Sequence, residues 1–244
     1  MVSFPTKIFT LCSVTIFLCV TSLNANNFFD DPLKKSGTIV LDPGHGGSNY
    51  GIKGVGGLYE KNITLKIANL IFKELEKNHN VFLTRTDDYK LSNVKRTSIA
   101  NSKNADLFIS IHTGGSLNKK STGTRIYYYS QNLEINIKSH KDKNSLSNGS
   151  DGPVLWENVQ LRHGIESLAL ARSIKNSMDP QTIITGSKII ILKGADMPSI
   201  LLEIGFQTNT IEASRLSDEG LMKEYAKNFS KGIELFLKKR EKND

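Results

Sequence analysis

From Thr38 onward, short apolar runs alternate with longer segments whose apolar residues recur at helical spacing, and this alternation leaves few folds open. Thr38–Asp42 is a buried-strand run stopped by Pro43-Gly44. Residues 62–78 follow, with Ile63, Ile67, Leu70, Ile71 and Leu75 on one helical face and Asn62 as the expected N-cap. Strands are then expected at Val81–Thr84, Asp106–His112, Gly123–Tyr129, Ser187–Leu192 and Ser199–Glu203, with helices over 91–105, 159–178 and 217–240. Continuously apolar strands separated by amphipathic helices predict an α/β fold. The expected domain is single, with a mainly parallel, twisted sheet of about six strands and helices on both faces.

The 244 residues suit one such domain, and 38% hydrophobic with 23% charged residues excludes global disorder. The domain is expected over 37–240. Ahead of it, Lys7 precedes an apolar run from Ile8 to about Val20 and then small or polar residues. That is the layout of a signal peptide over 1–25, cleaved after Ala25, with a short linker at 26–36. Both cysteines, Cys12 and Cys19, fall inside the leader, so the processed chain has neither thiol nor disulfide. Processing also removes Lys7, so the +8 formal charge falls to +7, 31 basic against 24 acidic side chains. Export to the periplasm, or to the outside and the cell wall, follows, with no stable membrane span after processing. The basic charge gives weak support for an anionic partner, and without a basic helix or aromatic platform it does not point to nucleic acid. Residues 130–158 break the alternation with a polar stretch rich in Asn, Ser, Lys and Gly. This is an insertion, either loop or lid.

Three strands end in groups able to bind metal or move protons: His45 after the first, His112 at the third and Glu203 at the last. Ligands of open α/β sheets sit at the carboxyl ends of parallel strands, so the three meet at one rim. Glu60, in the loop before the 62–78 helix, can join them. Two histidines and a carboxylate are the ligand set of a catalytic zinc that keeps a position for water, and a second carboxylate completes the apparatus for hydrolysis. Spacing alone leaves open which carboxylate does which. It also leaves open a structural ion pair between Glu203 and Arg85 or Arg96.

The sequence resembles the zinc-dependent N-acetylmuramoyl-L-alanine amidases of the amidase-3 type. The resemblance rests on residues 39–47 (IVLDPGHGG), 59–62 (YEKN), 83–88 (LTRTDD), the segment with Arg96 and Asn101, 106–112 (DLFISIH), 123–130 (GTRIYYYS) and 197–209 (MPSILLEIGFQTN). It implies one zinc ion held by His45, Glu60 and His112. It also implies Glu203 as general base and acid on a zinc-bound water, cutting the amide between N-acetylmuramic acid and L-alanine in peptidoglycan. The family usually follows its second zinc histidine with Ala and then Asn or Asp. Here Thr113-Gly114-Gly115 stand instead, so a polar substrate contact is absent or supplied elsewhere.

In some relatives an insertion covers the zinc until an activator protein displaces it. By that resemblance Glu134, His140 or Glu157 would be a regulatory fourth ligand. Two rival readings remain at this level. One is another zinc amidohydrolase or carboxypeptidase acting on wall peptides, for which His163 and Glu166 form an H-x-x-E pair, although no H-E-x-x-H occurs. The other is a wall-binding protein without activity.

Overall fold

The computed structural model describes residues 35–131 and 156–242. The expected leader over 1–25, most of the linker and most of the 130–158 insertion lie outside the described residues. So do Glu134, His140 and the side chain of Glu157.

The described chain runs β1 (Thr38–Pro43), α1 (Glu60–Leu75), β2 (Asn80–Leu83), α2 (Asn93–Ser102), β3 (Leu107–Gly114), β4 (Arg125–Tyr129), α3 (Gly164–Ser177), β5 (Ile183–Ser187), β6 (Ser199–Phe206), α4 (Thr210–Ser217) and α5 (Glu219–Glu241). The strands form one six-stranded sheet in the order β2-β1-β3-β6-β4-β5. Every pairing is parallel except β4 with β6. The chain leaves β1 toward one edge to form β2 and returns on the other side as β3, so the direction of winding reverses between β1 and β3. Ligands of such sheets bind at this reversal.

Side chains alternate between the two faces of each strand. Ile39, Leu41, Leu107, Ile109, Ile111, Ile200 and Leu202 point to one face and pack under α1, α3 and α5 in the larger core. Val40, Phe108 and Leu201 point to the other, smaller core, with Ala100 of α2 and the 3-10 turn Ile190–Leu192. The same alternation puts Asp42, His112 and Glu203 on the smaller face, where the covering elements leave the carboxyl ends of the strands open.

Several boundaries differ from the sequence expectation. Residues 187–192 do not form a strand: β5 ends at Ser187, and Ile190–Leu192 make a 3-10 turn. Ile191 and Leu192 are buried by packing on the sheet rather than by joining it, and a short apolar run does not distinguish the two. Helix α1 starts at Glu60 with Tyr59 as N-cap, so Asn62 is inside it. The closing helix expected over 217–240 is α5, and a short helix that the sequence reading did not foresee, α4, precedes it. Asn209 caps α4 by accepting from Ile211 N and Glu212 N, and Asp218, at ψ 121°, breaks the helix and caps α5.

A candidate metal centre at the carboxyl edge of the sheet

His45 belongs to the turn leaving β1 and has a left-handed backbone, φ 63°, unusual for a residue with a side chain. Two buried arginines hold the turn there. Arg85, 1% exposed, donates through Nε to Pro43 O (2.9 Å) and through Nη2 to Gly44 O (2.8 Å) and Lys61 O (2.8 Å). Arg96 of α2 donates through Nη1 to Asp42 Oδ1 (2.7 Å) and Pro43 O (2.8 Å), and through Nη2 to His45 O (2.6 Å). Asp42, fully buried, also accepts from Thr84 Oγ1 (2.5 Å) and Ser110 Oγ (2.8 Å). Lys61 and Asp88 clamp Gly47 from outside: Lys61 Nζ donates to its carbonyl at 3.0 Å, and Asp88 Oδ1 accepts from its N–H at 2.7 Å. Arg85 and Arg96 thus hold the His45 turn, and neither is paired to Glu203.

Glu60 is in the first turn of α1, 2% exposed, and faces both histidines. His45 Nε2 lies 2.9 Å from its Oε2, and His112 Nδ1 lies 3.1 Å from its Oε1. Ile52 N and Thr113 N donate to the same carboxylate at 2.9 Å each. Burial alone would raise the proton affinity of Glu60, but the bonds from His112 and His45 outweigh it and hold the carboxyl far below the ordinary range. On His45 burial acts to lower the pKa, and its bond and charge interaction with Glu60 overcome this, so its affinity for a proton is raised.

Ligand atoms of His45, Glu60 and His112 all lie within 4.8 Å of one another, and among the described residues this is the one such group of three. Donors 2.0–2.1 Å from a tetrahedral zinc are about 3.3 Å apart, close to the 2.9 and 3.1 Å between Glu60 and the two imidazoles. His45 Nδ1 also donates to Asn49 Oδ1 (2.9 Å), which accepts from Gly51 N as well (3.3 Å). Asn49 therefore keeps the His45 proton on Nδ1 and turns the Nε2 lone pair toward the cluster, as the outer partners of metal-binding histidines do. Gly44 permits the close approach: a Cβ there would stand 2.4 Å from His112 Cε1.

Glu203 is opposite His112 in the β3·β6 register, on the same face, and so beside the cluster rather than within it. Tyr127 of β4 donates to its Oε2 at 3.1 Å. Burial is the largest influence on Glu203 and raises its pKa, with Glu60 adding to it, against the lowering effects of Tyr127, Arg125 and His112. The structure thus assembles all four expected residues but separates the carboxylates: Glu60 bonds both imidazoles, and Glu203 bonds a tyrosine. The H-x-x-E pair is not assembled, since His163 Nε2 bonds Asp196 (3.0 Å) and Glu166 Oε2 lies 3.8 Å from Arg240 Nε.

Sequence reasoning missed Asn49, Arg125 and Tyr127. Asn49 gives no signal beyond its spacing four residues after His45. The other two sit at alternate positions of one strand, and only the β4·β6 pairing brings them to Glu203. The departure after His112 also has a structural account. Thr113 is 3% exposed and its hydroxyl accepts from Gln207 Nε2, while Gly114 makes room for the ring of Phe206, 2.9 Å from where a Cβ would be.

Comparison with known proteins places this arrangement. A model of the N-acetylmuramoyl-L-alanine amidase family, Amidase_3, matches residues 39–235. The chain is 35% identical over 211 residues to a protein of Buchnera aphidicola subsp. Baizongia pistaciae named as a candidate amidase of this kind, covering 82% of this chain and 94% of that one. It is 30% identical over 227 residues to the N-acetylmuramoyl-L-alanine amidase AmiA of Escherichia coli K12, covering 82% of this chain and 77% of AmiA. The catalytic domain of CwlV, an amidase of the same activity from Bacillus (Paenibacillus) polymyxa var. colistinus, matches with a TM-score of 0.66 at 25% identity, over 83% of this chain and 98% of that one. With the matched region spanning the whole sheet and its carboxyl edge, the chain belongs to the N-acetylmuramoyl-L-alanine amidases of the Amidase_3 family.

Proposed function

We propose that this amidase is zinc-dependent, with His45, Glu60 and His112 holding one ion and Glu203 moving the proton, and that it is exported to act on peptidoglycan. The observation that carries this reading is the pairing of His112 with Glu203 across β3 and β6. It sets a partly buried carboxylate beside a two-histidine, one-carboxylate cluster without making it a member. Bound zinc would supply a Lewis acid for the scissile carbonyl and acidify the attacking water. Glu203 accepts the proton of that water and returns it to the nitrogen of the departing L-alanine. Tyr127 fixes the carboxylate by its bond to Oε2. Glu60, held by two backbone N–H groups as well as two imidazoles, stays ionised and serves as ligand rather than base. Export is supported by the leader-like residues 1–25. No helix among the described residues is long and apolar enough to cross a membrane.

The test is digestion of intact peptidoglycan by the zinc-loaded protein, with and without a chelator, the products being identified by mass spectrometry. Release of stem peptides with a free L-alanine amino terminus, abolished by the chelator and restored by zinc, is the expected result. Chelator-insensitive release would remove the metal from the reading. No release from a zinc-loaded protein would leave the wall-binding alternative.

Asn49 provides a separate check on the ligand assignment. Asn49→Ala removes the acceptor that keeps the His45 proton on Nδ1, and losses of this kind lower metal affinity about 10- to 100-fold. Competition with a chromophoric chelator measures it directly. Unchanged zinc affinity would mean that His45 does not bind through Nε2.

A further inference from the structure

We propose that Arg125 sets specificity on the peptide side of the scissile bond by binding a free carboxylate on the residue that follows the L-alanine. This rests on the amidase reading above and names a contact within it. Arg125 opens β4 directly opposite Glu203 in the antiparallel register. Cross-strand partners on one face have Cβ atoms about 4.5–5.5 Å apart, so the guanidinium stands beside the proposed proton-transfer group. Its carbon lies 4.7 Å from the centre of the Phe206 ring, and that ring fills the space over Gly114, two residues past His112. His112, Phe206, Arg125, Tyr127 and Glu203 therefore border one patch of the rim.

The cation has no ion-pair partner among the described residues, although it also acts on the neighbouring Tyr127 hydroxyl. None of the ion pairs among the described residues includes Arg125, and its Nε is buried without a hydrogen-bond partner among them. A permanently charged, planar donor resting over an aromatic ring next to a reaction centre suits an anionic group of the substrate, carboxylate above all. Around the scissile amide the sugar side offers hydroxyl, N-acetyl and lactyl groups, all neutral. On the peptide side, a second residue joined through its side-chain carboxyl keeps its α-carboxylate free. That carboxylate lies about 7 Å from the scissile nitrogen at full extension. With no polar side chain at 114, the Phe206-supported Arg125 supplies a polar contact from the neighbouring strand.

The decisive comparison uses two purified disaccharide peptides that differ in one group, D-glutamate or its α-carboxamide, D-isoglutamine, after the alanine. For the unaltered enzyme kcat/KM should favour the free acid roughly 10- to 100-fold, the range of a charge-assisted hydrogen bond, and mainly through KM. Arg125→Gln should collapse that ratio to near one, and Arg125→Lys should retain part of it, keeping charge but not the paired donors. Zinc content is measured alongside. A parent enzyme that cuts both substrates within about twofold overturns the inference while leaving the amidase reading intact, and this arm needs no variant to fold. A loss in Arg125→Gln that is equal for both substrates and falls on kcat also overturns it, because a group that merely supports Glu203 would behave so. Cleavage of neither substrate by the parent removes the amidase reading first and the inference with it.

Discussion

Glu203→Gln lowers kcat about 100- to 10,000-fold while zinc stays bound, the range lost when positioned acid–base catalysis is removed. The carboxamide is nearly isosteric, and its oxygen still accepts from the Tyr127 hydroxyl, so the packing between β4 and β6 is kept. It cannot take a proton from water. Because Glu203 is outside the His45–Glu60–His112 group, metal content should match the parent by elemental analysis. The pH profile provides the sign. A base works deprotonated, so activity falls as pH drops through the pKa of Glu203. Burial raises that value above 4.5, and the acid limb should lie correspondingly higher. Tyr127→Phe removes a hydrogen bond that favours the ionised form, so its acid limb should move to still higher pH. Turnover by the glutamine variant within about threefold of the parent would refute the assignment, as would an acid limb unmoved by Tyr127→Phe.

How much of this was legible beforehand depends on the kind of signal. The sheet was readable because β1, β3 and β6 are buried on both faces and so are apolar along their length. Edge strand β5 is half exposed and carries Thr185, Gly186 and Ser187, and its signal was outweighed by the neighbouring run of isoleucines that the structure packs as a turn. His45, His112 and Glu203 were found because each follows or ends such a strand. Glu60 was named too, but in the wrong setting: it begins α1 rather than preceding it, so its backbone is fixed by the helix. The division of labour proposed for Glu60 and Glu203 could not be read from spacing. It depends on which carboxylate reaches two imidazoles, a fact of three-dimensional register. Thr84, Arg85 and Asp88 lay in a recognised motif whose purpose was opaque until Arg85 and Asp88 were seen bracing the His45 turn and Thr84 bonding Asp42.

That bracing predicts the largest effect on stability. Arg96→Met is expected to cost about 3–5 kcal/mol, the usual penalty for stripping one partner from a buried ion pair. Both ends of the pair are interior, Arg96 at 3% exposure and Asp42 at none, so water cannot replace the lost bonds. Asp42 would keep only the hydroxyls of Thr84 and Ser110, and His45 O would lose Arg96 Nη2. For a domain of this size each kcal/mol corresponds to about 2–4 °C, so Tm should fall by roughly 10 °C, as scanning calorimetry would record. Zinc affinity should fall as well, because His45 holds its left-handed backbone only while its carbonyl and that of Pro43 are tied to α2. Adding Asp42→Asn separates the two effects. Neutralising the stranded carboxylate should return part of the lost stability, yet it restores no donor to His45 O, so zinc affinity should stay low. Recovery of both together would mean that the buried charge alone distorts the centre. A melting temperature within about 2 °C of the parent for Arg96→Met would mean that Arg85 by itself suffices to hold the turn.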